Sequence, residues 1–233
     1  MKPTTAILVF TNTAKEEAAS KQWIHNAHKA NKKIAQKLID KTISVARQTQ
    51  LPTFVIDTPN QRGTNFGDKL TNAITDILHF NYENLIIIGS DCPKLSSSIL
   101  LDAAEKLTTN NFVIGADKRG GAYLIGINKN NFNAAAFQEF AWQSKNLFAS
   151  LMSYVKSINA SFTLLKILND FHTNLNHTPF SQLKIVVDDS FLYWLLAIIS
   201  SVNKHISYVV KLLLQRINSS QSLRAPPVCL FFN

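Results

Sequence analysis

Asp91 closes a segment built for chemistry: four large aliphatics, Leu85-Ile86-Ile87-Ile88, run into Gly89-Ser90-Asp91-Cys92-Pro93. Such a run reads as a strand covered on both faces, as in a parallel sheet flanked by helices. An acid at the carboxyl tip of a central strand lies where α/β folds place ligand chemistry, and Pro93 stiffens the turn that holds it. The segment also reads as a helix approach. Ser96 or Ser97 can cap a helix whose Leu100, Ala103, Ala104 and Leu107 form one apolar stripe, but that reading leaves the acid unexplained. Other chemistries fail on spacing. No G-x-G-x-x-G follows the first apolar run, and Gly63-Thr64-Asn65-Phe66-Gly67-Asp68-Lys69 lacks the spacing and hydroxyl of a P-loop, which argues against a dinucleotide oxidoreductase or a P-loop ATPase. His25 and His28 can share a helix face but have no third ligand, and read as surface residues. Cys92 has no His/Asn pairing in view and reads as a small buried thiol rather than a nucleophile.

The elements that must position these groups alternate along the chain. Strands are expected at Ile7–Phe10, Phe54–Asp57, Leu85–Gly89, Phe112–Gly115, Tyr123–Gly126 and Leu164–Leu168. Between the first two lies a long basic helix or helix pair, with Ile34, Ala35, Leu38, Ile39, Thr42 and Ala46 on one face. Leu70, Ala73, Ile74, Ile77 and Leu78 repeat the spacing of a helix packed on a sheet. Alternating strands and helices predict an α/β fold, with a mostly parallel sheet sandwiched between helical layers.

Composition is globular: 46% hydrophobic and 17% charged over 233 residues, enough for one large domain with a full core. Of the formal charge of +9, the first fifty residues carry +6, nine Lys/Arg against three Asp/Glu. That bias suits an anionic partner, although a solvated helix face is the plainer reading, and no nucleic-acid partner is expected. Cys92 and Cys229 are too far apart in sequence, and without C-x-x-C spacing, to suggest a disulfide scaffold or zinc site. A reducing cytoplasm is the expected location. The apolar run Ala6–Phe10 is shorter than the ~7–15 residues of a signal h-region, so the Asn-x-Ser/Thr triplets at Asn159, Asn176 and Asn218 carry no weight.

The order of several segments resembles a known family. Gln61-Arg62-Gly63 with Phe66-Gly67-Asp68-Lys69-Leu70, then Ile88 to Pro93, then Gly120-Gly121-Ala122-Tyr123-Leu124-Ile125-Gly126, then Trp142-Gln143-Ser144 are similar to successive blocks of the DUF2064 proteins. Those are glycosyltransferase-A-like relatives of nucleotide-diphospho-sugar transferases and of guanylyltransferases. The resemblance spans roughly residues 5–175 and implies a glycosyltransferase-A domain over residues 1–180; residues 181–233 lie outside it and read as a helical extension.

The resemblance implies a divalent cation, Mg²⁺ or Mn²⁺, on the acid after the central strand, which Asp91 matches. A hard cation prefers oxygen ligands and neutralises charge on a departing diphosphate. Asp170, in Asn169-Asp170-Phe171-His172-Thr173, falls where the family has an Asp-x-Asp-Thr pattern, with His172 in place of the second Asp. Imidazole still ligates Mn²⁺ but brings no negative charge. Thr11, Lys15 and Gln61 are expected on the nucleotide side, with Ser90 beside Asp91. Gly120 and Gly121 would admit a sugar or phosphate close to the backbone, or simply make a tight turn. Trp142 would stack on a sugar or base, or else belong to the core.

Three departures stand against full likeness. The family's basic loop after the first strand is missing, with Lys15 and Lys21 as partial substitutes; Arg119 stands where an Asp is usual; and Ala122 replaces an aromatic. The expected activity is sugar transfer from a nucleotide-sugar to an acceptor. A nucleotidyltransferase on the same fold, and a degenerate nucleotide-binding or scaffold protein, remain open. Phe191 to Val202, at twelve residues, is too short to span a bilayer. It reads as a helix packed on the core or on a second subunit in a homo-oligomer, with weak membrane-surface contact as the lesser reading.

Overall fold

The computed structural model describes residues 4–172, 174, 175, 178 and 180–202. Its elements run β1 (Thr5–Phe10), α1 (Ala14–Lys21), α2 (His28–Gln48), β2 (Thr53–Ile56), α3 (Phe66–Leu78), β3 (Asn84–Ile88), α4 (Ser97–Lys106), β4 (Phe112–Ala116) and β5 (Ala122–Asn128). Then follow α5 (Ala134–Gln138), α6 (Leu147–Ser157), β6 (Phe162–Leu164), α7 (Phe180–Val186) and α8 (Asp189–Val202). The long basic segment is a helix pair, α1 and α2.

The strands form one sheet in the order β2-β1-β3-β5-β4-β6. β1 is parallel to β2 and β3, and β4 to β6, while β5 is antiparallel to both neighbours. The reversal has a local cause. Only the short segment 117–121 separates β4 from β5, which suffices for a tight turn but not for the crossover that parallel strands require. β1, β3, β4 and β6 consequently point the same way, and their carboxyl ends share one edge of the sheet. The expected strand at Leu164–Leu168 is corrected: pairing with β4 spans Phe162–Leu164, and Leu168 returns only as a single bridge to Asp117. β4 is irregular at Gly115/Ala116, where its pairing with β5 shifts register.

Side chains of each central strand alternate between two cores, as period-two geometry demands. Ala6, Leu8 and Phe10 join Leu85 and Ile87 under α3, α5 and α6, whereas Ile7 and Val9 join Ile86 and Ile88 under α2 and α4. The result is an α/β fold with helices on both faces of the sheet. Helix starts are fixed chemically. Thr13 and Glu16 form a capping box on α1, Asn65 accepts from the Asp68 amide on α3, and Ser96 accepts from the Ile99 amide on α4. His25 and His28 are exposed and Cys92 is buried.

The chain divides into two compact units, residues 1–188 and 189–233. The described part of the second is α8, where Phe191, Leu192, Leu195, Leu196 and Ile199 fall on one apolar stripe. Among the described residues no helix is long and apolar enough to cross a membrane. Thr173, Asn176, the apolar run from Tyr208, Asn218, Arg224–Pro227 and Cys229 lie outside the described residues.

Candidate functional site

The shared carboxyl edge opens into a cavity of about 840 Å³, lined in part by Thr11, Glu17, Lys21, Ser90, Asp91 and Asp170. Thr11 and Ser90 leave the adjacent parallel strands β1 and β3 side by side, and their buried hydroxyls share a hydrogen bond of 2.8 Å. Asp91 follows Ser90 and enters the cavity.

Asp170 and His172 reach Asp91 through a strut that the sequence does not announce. The Phe171 amide donates to the Asp91 carbonyl at 2.6 Å, the Trp23 indole donates to the Phe171 carbonyl at 2.9 Å, and the Leu175 amide donates to the Trp23 carbonyl at 2.7 Å. The Trp23 and Phe171 rings stack at 5.8 Å. With Phe171 pinned between β3 and the end of α1, its neighbours at 170 and 172 both face Asp91. Asp91, Asp170 and His172 each offer a ligand atom within 4.8 Å of the others.

Asp117, just past the end of β4, is a fourth acid in the cavity, beside Glu17, Asp91 and Asp170. Its Oδ1 accepts from the amides of Arg119 (2.6 Å) and Gly121 (2.9 Å). Burial opposes its ionisation, yet the hydrogen bond from Asp170 and these two amides outweigh burial and hold Asp117 below the usual carboxylate range. Asp170 responds in the opposite sense. Burial first, then the charge of Asp91 and the contact with Asp117, push its carboxyl up to about 9, so that near neutrality it is the protonated donor of the pair. Burial and the charge of Lys21 lower His172, with Asp91 opposing, which favours neutral imidazole.

The residues present fit a divalent cation. Asp170 Oδ1 is buried without a hydrogen-bond partner, an arrangement that normally carries a cost, and the Asp91 carboxylate, the Asp170 carboxyl once a cation displaces its proton, and a neutral imidazole form a donor set suited to Mn²⁺.

The expected site residues divide. Thr11, Ser90, Asp91, Gly121, Trp142, Asp170 and His172 line the cavity, whereas Lys15, Gln61 and Gly120 do not. Lys15 is exposed on α1, and Lys21, at the other end of that helix, takes the place in the cavity. Gln61 supports the site from behind, donating to the Thr11 carbonyl at 2.8 Å. Gly120 makes a tight turn: its φ is +88°, and a Cβ there would lie 2.0 Å from the Lys145 carbonyl. Trp142 packs against Phe66, Phe137 and Phe140, as its core reading expects, and also lines the cavity. Asp117 and Glu17 were not foreseen. For Asp117 the signal was present, because Phe112-Val113-Ile114-Gly115-Ala116-Asp117 repeats the strand-then-acid pattern of Asp91. Cys92, beside these acids, has its thiol pushed up by burial and by Asp170 and Asp91, which suits a buried structural thiol.

A helix-covered, mostly parallel sheet bearing acids at its carboxyl edge defines the class: an α/β protein with a candidate ligand site at that edge. The chain belongs to the DUF2064 family, described as uncharacterized proteins conserved in bacteria, whose model matches residues 26–144. No curated protein matches the chain at a significant level. A solved protein from Desulfovibrio desulfuricans G20, provisionally named a nucleotide-diphospho-sugar transferase, is similar at a TM-score of 0.71 and 16% identity, covering 90% of this chain and 97% of that one. Rv0371c from Mycobacterium tuberculosis H37Rv (TM-score 0.46, 10% identity, 74% and 94% covered) is a more distant likeness and carries no weight. The same holds for a cytidylyltransferase from Leptospira borgpetersenii (0.36, 12%, 98% and 100%).

Proposed function

We propose that the protein is a glycosyltransferase that uses a nucleotide-diphospho-sugar donor with a divalent cation, Mg²⁺ or Mn²⁺, held by Asp91, Asp170 and His172. The observation that carries this reading is the convergence of those three side chains beside the Thr11–Ser90 pair in one cavity at the carboxyl edge of the sheet. The cation would supply charge neutralisation for the departing diphosphate. The protein's own groups do the rest. Lys21, Arg119 and Lys145 line the same cavity and add positive charge near the diphosphate. Trp142 offers an aromatic edge to a sugar or base, and the hydroxyls of Thr11 and Ser90 orient polar groups of the donor. The strut through Phe171 keeps Asp170 and His172 in place while the donor binds.

The test is a panel of nucleotide-sugars and nucleoside triphosphates with Mn²⁺ or Mg²⁺, read by thermal shift and by product. One nucleotide-sugar is expected to raise the melting temperature only with the cation. A ligand at 100 times its dissociation constant adds about 2.7 kcal/mol of stability. The shift should vanish in Asp91→Ala, and turnover should release nucleoside diphosphate. Pyrophosphate release would identify a nucleotidyltransferase instead, and binding without turnover a non-catalytic nucleotide-binding protein.

A further inference from the structure

Lys21 sits against two members of the donor set assigned to the cation, Asp91 and His172. Its Nζ lies 2.9 Å from Asp91 Oδ2 and 3.0 and 3.1 Å from the two ring nitrogens of His172, with Glu17 Oε1 at 3.7 Å. The side chain is only 14% exposed. Its position is built in. Lys21 is the last residue of a helix whose start is locked by the Thr13/Glu16 box, and Gln22 ends that helix in the left-handed conformation at φ 45°. Trp23, two residues on, is bonded to Phe171, the residue that carries Asp170 and His172 on either side. The lysine and two of the ligands it touches are therefore tied to one strut.

An ammonium at hydrogen-bond distance from a carboxylate supplies there the positive charge that a divalent ion would supply, and the two cannot share Asp91 Oδ2 and His172 at once. We propose that Lys21 is a tethered counter-ion that competes with the divalent cation for this seat, so that cation binding requires Lys21 to swing out. The inference rests on the assignment of Asp91, Asp170 and His172 as the cation-holding set. A bound diphosphate favours the swung-out state by giving Lys21 a second anionic partner in the same cavity. Occupation of the seat by the cation and by the nucleotide then becomes coupled. Apparent affinity falls in proportion to the fraction of molecules with the seat open, so a tenfold suppression needs Lys21 to be out in no more than about one molecule in ten.

The experiment is Mn²⁺ titration of the full chain without nucleotide, followed by the electron paramagnetic resonance of free Mn²⁺, on wild type, Lys21→Met, Lys29→Met, which alters an exposed lysine of α2 outside the cavity, and the double variant Lys21→Met/Asp91→Asn. Far-ultraviolet dichroism and melting temperature verify that each is folded, and Lys21→Gln serves if Lys21→Met is not. Lys21→Met is expected to bind Mn²⁺ at least tenfold more tightly than wild type, Lys29→Met within about twofold of wild type, and the double variant to lose the gain. Equal affinity of Lys21→Met and wild type overturns the proposal while leaving the cation site intact. Equal gains in Lys21→Met and Lys29→Met overturn it in favour of a general charge effect. Absence of Mn²⁺ binding in every protein overturns both the proposal and the cation assignment. Tight Mn²⁺ binding by Lys21→Met at Asp91, with no nucleotide-sugar consumed by wild type, sustains the competition and removes only the transferase reading.

Discussion

Asp170 and Asp117 show how two chemically identical side chains acquire opposite states. Asp117 collects two backbone amides and a hydrogen bond from Asp170, whereas Asp170 is buried beside the charge of Asp91 and left with one unpaired oxygen. The folded protein binds a proton at Asp170 that the unfolded chain, with its ordinary carboxylate value of about 3.9, gives up. Stability from this group is complete below the unfolded value and is lost as pH rises toward the folded value of about 9. Between pH ~7 and ~9, above the range in which His172 titrates, the slope is at most about 1.4 kcal/mol per pH unit. Asp170→Asn keeps a donor toward Asp117 and removes the titration. In chelator-treated protein, urea unfolding of wild type should weaken over that window while Asp170→Asn stays flatter; parallel curves would show that Asp170 is already ionised at neutral pH.

The elements add what no single residue carries. Asp91 was legible because a run of aliphatics ends beside it, and the β1, β3 and α3 patterns were read for the same reason. Helices α5, α6 and α7 were not read. In α6, Leu147, Leu151 and Val155 make a buried stripe, but the stripe is short and it is the core under β4 and β5 that selects it. The Trp23–Phe171 strut was equally invisible, because two aromatics 148 residues apart give no local signal. Its importance is testable. Trp23→Phe keeps an aromatic ring but deletes the indole donor and shrinks a fully buried side chain, so the lost bond to the Phe171 carbonyl, at about 1–3 kcal/mol, is joined by a cavity cost. Guanidinium unfolding should register that loss, and no change would show that water replaces the indole. Asn31 has a comparable role: its side chain bonds both the amide and the carbonyl of Ile24, at 2.8 and 2.7 Å. Asn31→Leu should cost about 1–3 kcal/mol for each group it orphans, measured by the same method.

At the scale of the molecule, the formal charge of +9 is unevenly displayed. Lys29, Lys32, Lys33 and Lys37 stand exposed on α2, while Lys21, Arg119 and Lys145 line the cavity beside its acids. A positive field steers anionic ligands, and salt screens it with a Debye length of about 10 Å at 0.1 M. On the function proposed above, the affinity for the nucleoside diphosphate of the donor, measured calorimetrically, should therefore fall severalfold between ~20 mM and ~200 mM salt. An affinity indifferent to salt would confine recognition to contacts shielded from the solvent.

The amino-acid sequence by itself determined the α/β class, the strand that carries Asp91 and the family resemblance. These rest on local periodicity and on short motifs, which are properties of neighbours along the chain. Only the tertiary structure decided that β5 runs against its neighbours, that Asp117 joins the site while Lys15 and Gln61 stand outside the cavity, and that Lys21 sits among Asp91 and His172. Those outcomes depend on which strand ends share an edge and on hydrogen bonds between residues far apart in sequence, where packing rather than local preference selects the arrangement.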